Sequence, residues 1–151
     1  MPDQVRDDNR FFLYRILAMK CTNTNEVWKH FHDNPLTHSE AHYIMTVHKL
    51  GTARAVDLVK TLNVAAPTVS QALKTLVKKG WLQQNEDKSF FLTKNALQIA
   101  KRLKKNKALL MDFFVRILEL SKEEADRDSC KIEHLISPET SEALEKFLDI
   151  K

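Results

Sequence analysis

The run from Leu62 to Leu82 limits the fold more than any other part of the chain. Val69, Leu73, Leu76 and Val77 recur at helical spacing and form one apolar stripe, while Thr68, Gln71, Thr75 and Lys78 fall on the opposite side. Pro67 suits the first turn, where its missing N–H breaks no bond, and Gly80 stands where the chain must leave the helix. A shorter apolar-periodic segment, Val56, Leu58, Val59 and Leu62, precedes it across the turn Asn63 to Ala65. Two helices joined so briefly make a helix-turn-helix. Trp81 to Gln84 and Ser89 to Leu92 then read as short extended segments joined by the polar turn Asn85-Glu86-Asp87-Lys88. A helix-turn-helix followed by a small hairpin is a winged helix.

The outer face of the second helix suits the DNA major groove. Gln71 can bond the edge of an adenine, Thr68, Ser70 and Lys74 can reach bases or phosphates, and Ala66 and Pro67 can meet thymine methyls. Lys78, and Lys88 in the wing, complete the expected double-stranded DNA contacts. The charge distribution agrees. From Arg54 to Lys107 there are twelve Lys/Arg against three acids, whereas Ala108 to Lys151 carries six against eleven. The basic charge therefore lies where the helix-turn-helix lies.

No apolar run approaches the ~20 residues of a membrane span, and the N-terminus lacks a charged-then-apolar signal. Cys21 and Cys130 form no disulfide framework. These features predict a cytoplasmic protein with no membrane association. The absence of a glycine-rich phosphate loop and of a nucleophile-and-base arrangement argues against an enzyme.

Residues 1–35 are expected to form a helical extension, with amphipathic segments at Arg6 to Lys20 and Val27 to Phe31, contributing to dimerisation. Residues 36–93 form the winged helix-turn-helix, led by a helix from His38 to Leu50 behind the capping box Thr37-His38-Ser39-Glu40. Residues 94–151 form a helical region for dimerisation and metal binding. Thr93 caps a long helix to about Leu120, Ser121-Lys122-Glu123-Glu124 is a second capping box, and Ser137-Pro138 opens a last helix. The expected fold class is thus mostly α, a winged helix-turn-helix DNA-binding domain with a helical dimerisation region. A symmetric homodimer would let two recognition helices address successive major grooves.

Cys130, Glu133 and His134 stand at i, i+3 and i+4, so on one helix a thiolate, a carboxylate and an imidazole converge on one ion. His38 and His42 are i and i+4 on the helix before the winged helix, and either can complete that site or form another. A thiolate in the set favours Fe(II), with Zn(II) or Mn(II) as other divalent candidates.

The run Pro67-Thr68-Val69-Ser70-Gln71, the wing ending Asp87-Lys88-Ser89-Phe90-Phe91-Leu92-Thr93, and Asp128-Ser129-Cys130-Lys131-Ile132-Glu133-His134 together resemble the DtxR/MntR family of metal-dependent transcriptional repressors. The resemblance covers roughly Leu36 to Leu148. It implies a homodimer that binds an operator palindrome when loaded with a divalent metal. It also implies that the Cys130 cluster is the regulatory site, completed by the residue before Tyr43, which is His42. The family's ancillary site is expected to be lost, since Lys107, Met111 and Asp126 stand at its positions. The chain resembles the short members without an SH3-like domain, and its leading segment is more like that of MarR-type regulators. Two rival readings share the fold: a MarR-like regulator controlled by a small organic ligand between the dimer helices and the winged helix, and a redox sensor using Cys21 or Cys130.

Overall fold

The computed structural model describes residues 36–148. The two helices expected within residues 1–35 lie outside that range. In chain order the described elements are α1 (His38–Leu50), α2 (Ala55–Leu62), α3 (Ala66–Lys78), β1 (Leu82–Gln84), β2 (Phe90–Leu92), α4 (Lys94–Arg116), α5 (Lys122–Ile132) and α6 (Pro138–Leu148). They form one compact unit.

The capping box at α1 is complete: Thr37 accepts from the Glu40 N–H at 3.2 Å, and Glu40 accepts from the Thr37 N–H at 3.0 Å. The second Glu40 carboxylate oxygen accepts from Lys79 Nζ at 2.6 Å, tying the start of α1 to the end of α3. Burial pushes the Glu40 carboxyl up, but the bonds from Lys79 and Thr37 outweigh it and hold the group below its ordinary 4.5. A depressed folded pKa gives stability that is present above 4.5 and lost as pH falls through the folded value. Glu40→Gln is therefore expected to cost roughly 1 kcal/mol at neutral pH. Chemical denaturation across a pH series should show that gap closing on acidification below 4.5.

The helix-turn-helix forms as expected. Asn63 leaves α2 in the left-handed region (φ 52°), and α3 begins with Pro67 in its first turn. Gly80 (φ 75°) ends α3, where the Trp81 N–H reaches back to the Leu76 carbonyl at 2.9 Å. Ile44 and Val47 of α1, Leu58 of α2, Val69, Leu73 and Leu76 of α3, Leu82 of β1, and Ala100 and Leu103 of α4 form one buried core. The first half of α4 thus belongs to the winged helix, and its second half carries α5 and α6.

Four details differ from the sequence reading. Val77 does not join the α3 stripe; it is 40% exposed and faces the wing. The wing also has a third short member, since Ala53 exchanges backbone hydrogen bonds of 2.8 and 3.0 Å with Phe90. The long helix stops at Arg116 rather than near Leu120, because Glu119 turns left-handed (φ 56°) and the Leu120 N–H caps the Phe114 carbonyl at 3.0 Å. Finally, α5 ends at Ile132, with Glu133 as its C-cap and His134 beyond it in a turn. Cys130 and Glu133 keep their i, i+3 relation through the cap, whereas His134 leaves the regular helix.

Candidate metal centre and nucleic-acid interface

Ala66, Pro67, Thr68, Ser70, Gln71, Lys74 and Lys78 are all exposed on the outer side of α3, opposite the buried Val69, Leu73 and Leu76. Lys88 is exposed at the wing tip with φ 63°. Between α3 and the wing runs a groove of about 650 Å³ whose rim carries Arg54, Lys74, Lys78 and Lys88 over Val56, Val77 and Phe90. Asp87 fixes the wing tip by accepting from the Ser89 hydroxyl at 2.6 Å and its N–H at 3.0 Å, and those bonds, with Arg54 at 3.6 Å, hold its carboxyl below the ordinary range. Arg54 is a cation of this face that periodicity does not single out, because it lies in the loop before α2. Lys79, by contrast, is engaged by Glu40.

The second cluster lies where α1 meets α5. His42 Nε2 stands 3.1 Å from His38 Nε2 and 3.4 Å from Cys130 Sγ. One donor atom from each of the three lies within 4.8 Å of the others. Helical spacing puts His38 and His42 on one side of α1, and packing of α5 brings Cys130 to them across 88 residues of sequence. The His134 ring lies 5.1 Å from that of His38. Both histidines that the sequence leaves as alternatives thus meet Cys130.

Glu133 is nearly buried (7% exposed), and its Oε2 has no hydrogen-bond partner among the described residues. Burial pushes its carboxyl up to about 7, with Lys107 opposing and Asp126 adding to the rise. Its backbone carbonyl accepts from the buried Asn106 Nδ2 at 2.8 Å, which pins the end of α5 to α4. Lys107 Nζ pairs with Asp126 Oδ1 at 2.8 Å. Burial, then the neighbouring His38 and Lys107, lowers the pKa of His42; burial, then His38 and His42, lowers that of His134. Both imidazoles are accordingly neutral at pH 7, the form that binds metals. Burial and Glu133 raise the Cys130 thiol, so an ion that takes this sulfur displaces its proton.

The donor set fits a transition metal. Bonds of about 2.0–2.1 Å to nitrogen and 2.3 Å to sulfur around one tetrahedral ion would leave donors about 3.3–3.6 Å apart. The separations of 3.1 and 3.4 Å are close to that. Two imidazoles, a thiol and an orphaned buried carboxylate oxygen are also the chemistry such an ion requires.

Residues 93–150 match the family model described as iron dependent repressor, metal binding and dimerisation domain, and residues 36–89 match that of the MarR family. The transcriptional regulator MntR of Salmonella typhimurium is 33% identical over 99 residues, which are 66% of this chain and 62% of the relative. MntR of Escherichia coli O6:H1 is 32% identical over 101 residues, 67% and 64% of the two chains. The chain thus spans a little under two thirds of the length of these relatives. Among solved structures, that of the manganese regulator SloR is similar with a TM-score of 0.66 at 23% identity, covering 73% of this chain and 53% of SloR. ScaR with bound Zn2+ gives 0.65 at 23%, with the same coverage. The winged helix-turn-helix with a following helical region is therefore a shared fold. Over residues 36–150 the chain thus joins a segment similar to the MarR family model to one similar to the iron dependent repressor model, and it is similar in sequence to MntR regulators.

Proposed function

We propose that this protein is a metal-responsive, DNA-binding transcriptional regulator that represses from an operator palindrome as a homodimer. The observation that carries the reading is the junction of His38 and His42, on the helix leading into the winged helix, with Cys130 on α5. Histidines and thiol hold their donor atoms toward one another, and Asn106 keeps Glu133 and the end of α5 in place behind them. A bound divalent ion would supply bonds between α1 and α5 and so favour one arrangement of α3 relative to the dimer. It acts on DNA affinity only as far as it prefers that arrangement. Ala66, Pro67, Thr68, Ser70, Gln71 and Lys74 then meet base edges and phosphates, with Lys78 and Lys88 on the backbone.

Phe113, Phe114, Ile117 and Phe147 gather at the far end of α4 and α6, with Ile117 44% and Phe147 64% exposed. That patch suits the dimer contact. The thiol and imidazole donors favour Fe(II) as the working ion, with Zn(II) binding more tightly in vitro and Mn(II) more weakly. MntR relatives and manganese regulators among the structural neighbours make Mn(II) the alternative to test.

A second reading has its own observation. Between α1, α2 and α4 lies a cleft of about 920 Å³ lined by Met45, Leu50 and Leu62, with His48, Lys49, Lys104 and Lys107 and, among the described residues, no carboxylate. Such a lining suits an organic anion. One experiment separates the two. Duplexes are selected from a random library by the purified protein in chelator, then with Fe(II), Zn(II) or Mn(II) added singly, and binding is measured by anisotropy. Metal regulation predicts a palindromic site bound at least tenfold more tightly with an ion than in chelator. Tight binding in chelator, released by a small organic acid, would move the switch to the cleft.

A further inference from the structure

Lys107 is a feature of the cluster that no ligand role explains. It sits on α4 with only a third of its side chain exposed, pairs with Asp126 of α5 at 2.8 Å, and shares a cleft wall with His42. Its charge also acts on Cys130 and Glu133. A positive charge is therefore already seated among the thiol, the two carboxylates and the imidazoles. We propose that Lys107 is the resident counter-cation of this cluster: it ties α5 to α4 before an ion arrives, and by opposing the incoming charge it sets the ion concentration at which the site fills.

This role rests on the cluster being the ion site, and adds what tunes it. In the metal-free protein the Lys107 ammonium pairs with the Asp126 carboxylate at 2.8 Å and so holds α5 on α4, with Cys130 and Glu133 within reach of its charge. A divalent ion bound to Cys130 and the histidines meets the same ammonium as a like charge. Its two effects thus have opposite signs: support of the metal-free protein, and resistance to filling.

The test compares wild type with Lys107→Met, which keeps length and removes charge, Lys107→Arg, which keeps charge, and Cys130→Ala. Each is titrated with Zn(II) against a chromophoric chelator and melted in the presence of EDTA. Lys107→Met should bind Zn(II) about fivefold more tightly, the size expected for a unit charge facing, at about 4 Å under water-like screening, the one net charge gained when a divalent ion displaces the Cys130 proton. The same variant should melt at a lower temperature than wild type in EDTA, and Lys107→Arg should track wild type in both. Unchanged or weaker Zn(II) affinity in Lys107→Met, with Cys130→Ala clearly impaired, would overturn the role of Lys107 alone. If Cys130→Ala binds Zn(II) like wild type, the ion site itself is misplaced.

Discussion

Cys130→Ala is expected to lose high-affinity binding of Zn(II) and Fe(II), by roughly a hundredfold or more, while keeping the helical fold. Among the described residues, the sulfur is the donor that α5 places within 4.8 Å of both His38 and His42, so its removal takes away the thiolate that joins α5 to that pair. The structural cost is small, because the thiol is only partly buried and approaches His42 at 3.4 Å rather than filling the core. Operator binding in the variant should no longer respond to added ion. Isothermal titration with Zn(II) and circular dichroism on the same sample check both halves, and a variant that titrates like wild type would remove Cys130 from the site. The redox reading predicts something else at the same residue: loss of DNA binding on mild oxidation, restored by reductant, in wild type but not in the alanine variant.

Leu76→Ala carries the largest expected effect on the fold. Leu76 is fully buried, and it packs in the core shared by α1, α2, β1 and the first half of α4. Truncating a leucine at such a site removes transfer energy and leaves a cavity, together costing about 2–5 kcal/mol. A unit of this size loses several degrees of melting temperature per kcal/mol, so a fall of about 10 to 20 °C is expected. Val77→Ala beside it is the control. That side chain is 40% exposed toward the wing groove, so its loss should change stability by less than about 1 kcal/mol. Equal effects at the two positions would mean that α3 is rotated about its axis, with Val77 as deeply packed as Leu76.

The elements that local chemistry dictates are legible in the sequence. Thr37 with Glu40 in a capping box, Pro67 early in α3 and Gly80 after it mark ends that the structure keeps to within a residue or two. The stop of α4 is not legible. Nothing in Ile117-Leu118-Glu119-Leu120 resembles a glycine cap, and a non-glycine residue at φ 56° is sparsely populated. Ala53 pairing with Phe90 and Lys79 pairing with Glu40 are likewise non-local, and no periodicity reports them.

The site shows the same division. Spacing identifies the His38 and His42 pair and the Cys130, Glu133, His134 group separately, each from its own stretch of chain. It does not give the docking of α5 on α1, which decides that both histidines meet the sulfur. Glu133 keeps helical geometry as the C-cap of α5, whereas His134 lies beyond it in a turn rather than on the same regular helix. Glu133 is held through its backbone by Asn106, a buried polar residue whose helix position looks ordinary in the sequence. Lys107 stands out in the sequence only as a departure from the family pattern, whereas the structure gives it a partner in Asp126 and a place among the cluster's charges.

If α1 and α5 hold one ion between them through two imidazoles and a thiolate, X-ray absorption at the zinc edge of the loaded protein shows it most directly. The expected spectrum has one sulfur at about 2.3 Å together with nitrogen or oxygen neighbours at about 2.0–2.1 Å, including imidazole scattering. A shell of nitrogen and oxygen alone, with no sulfur, would contradict that site.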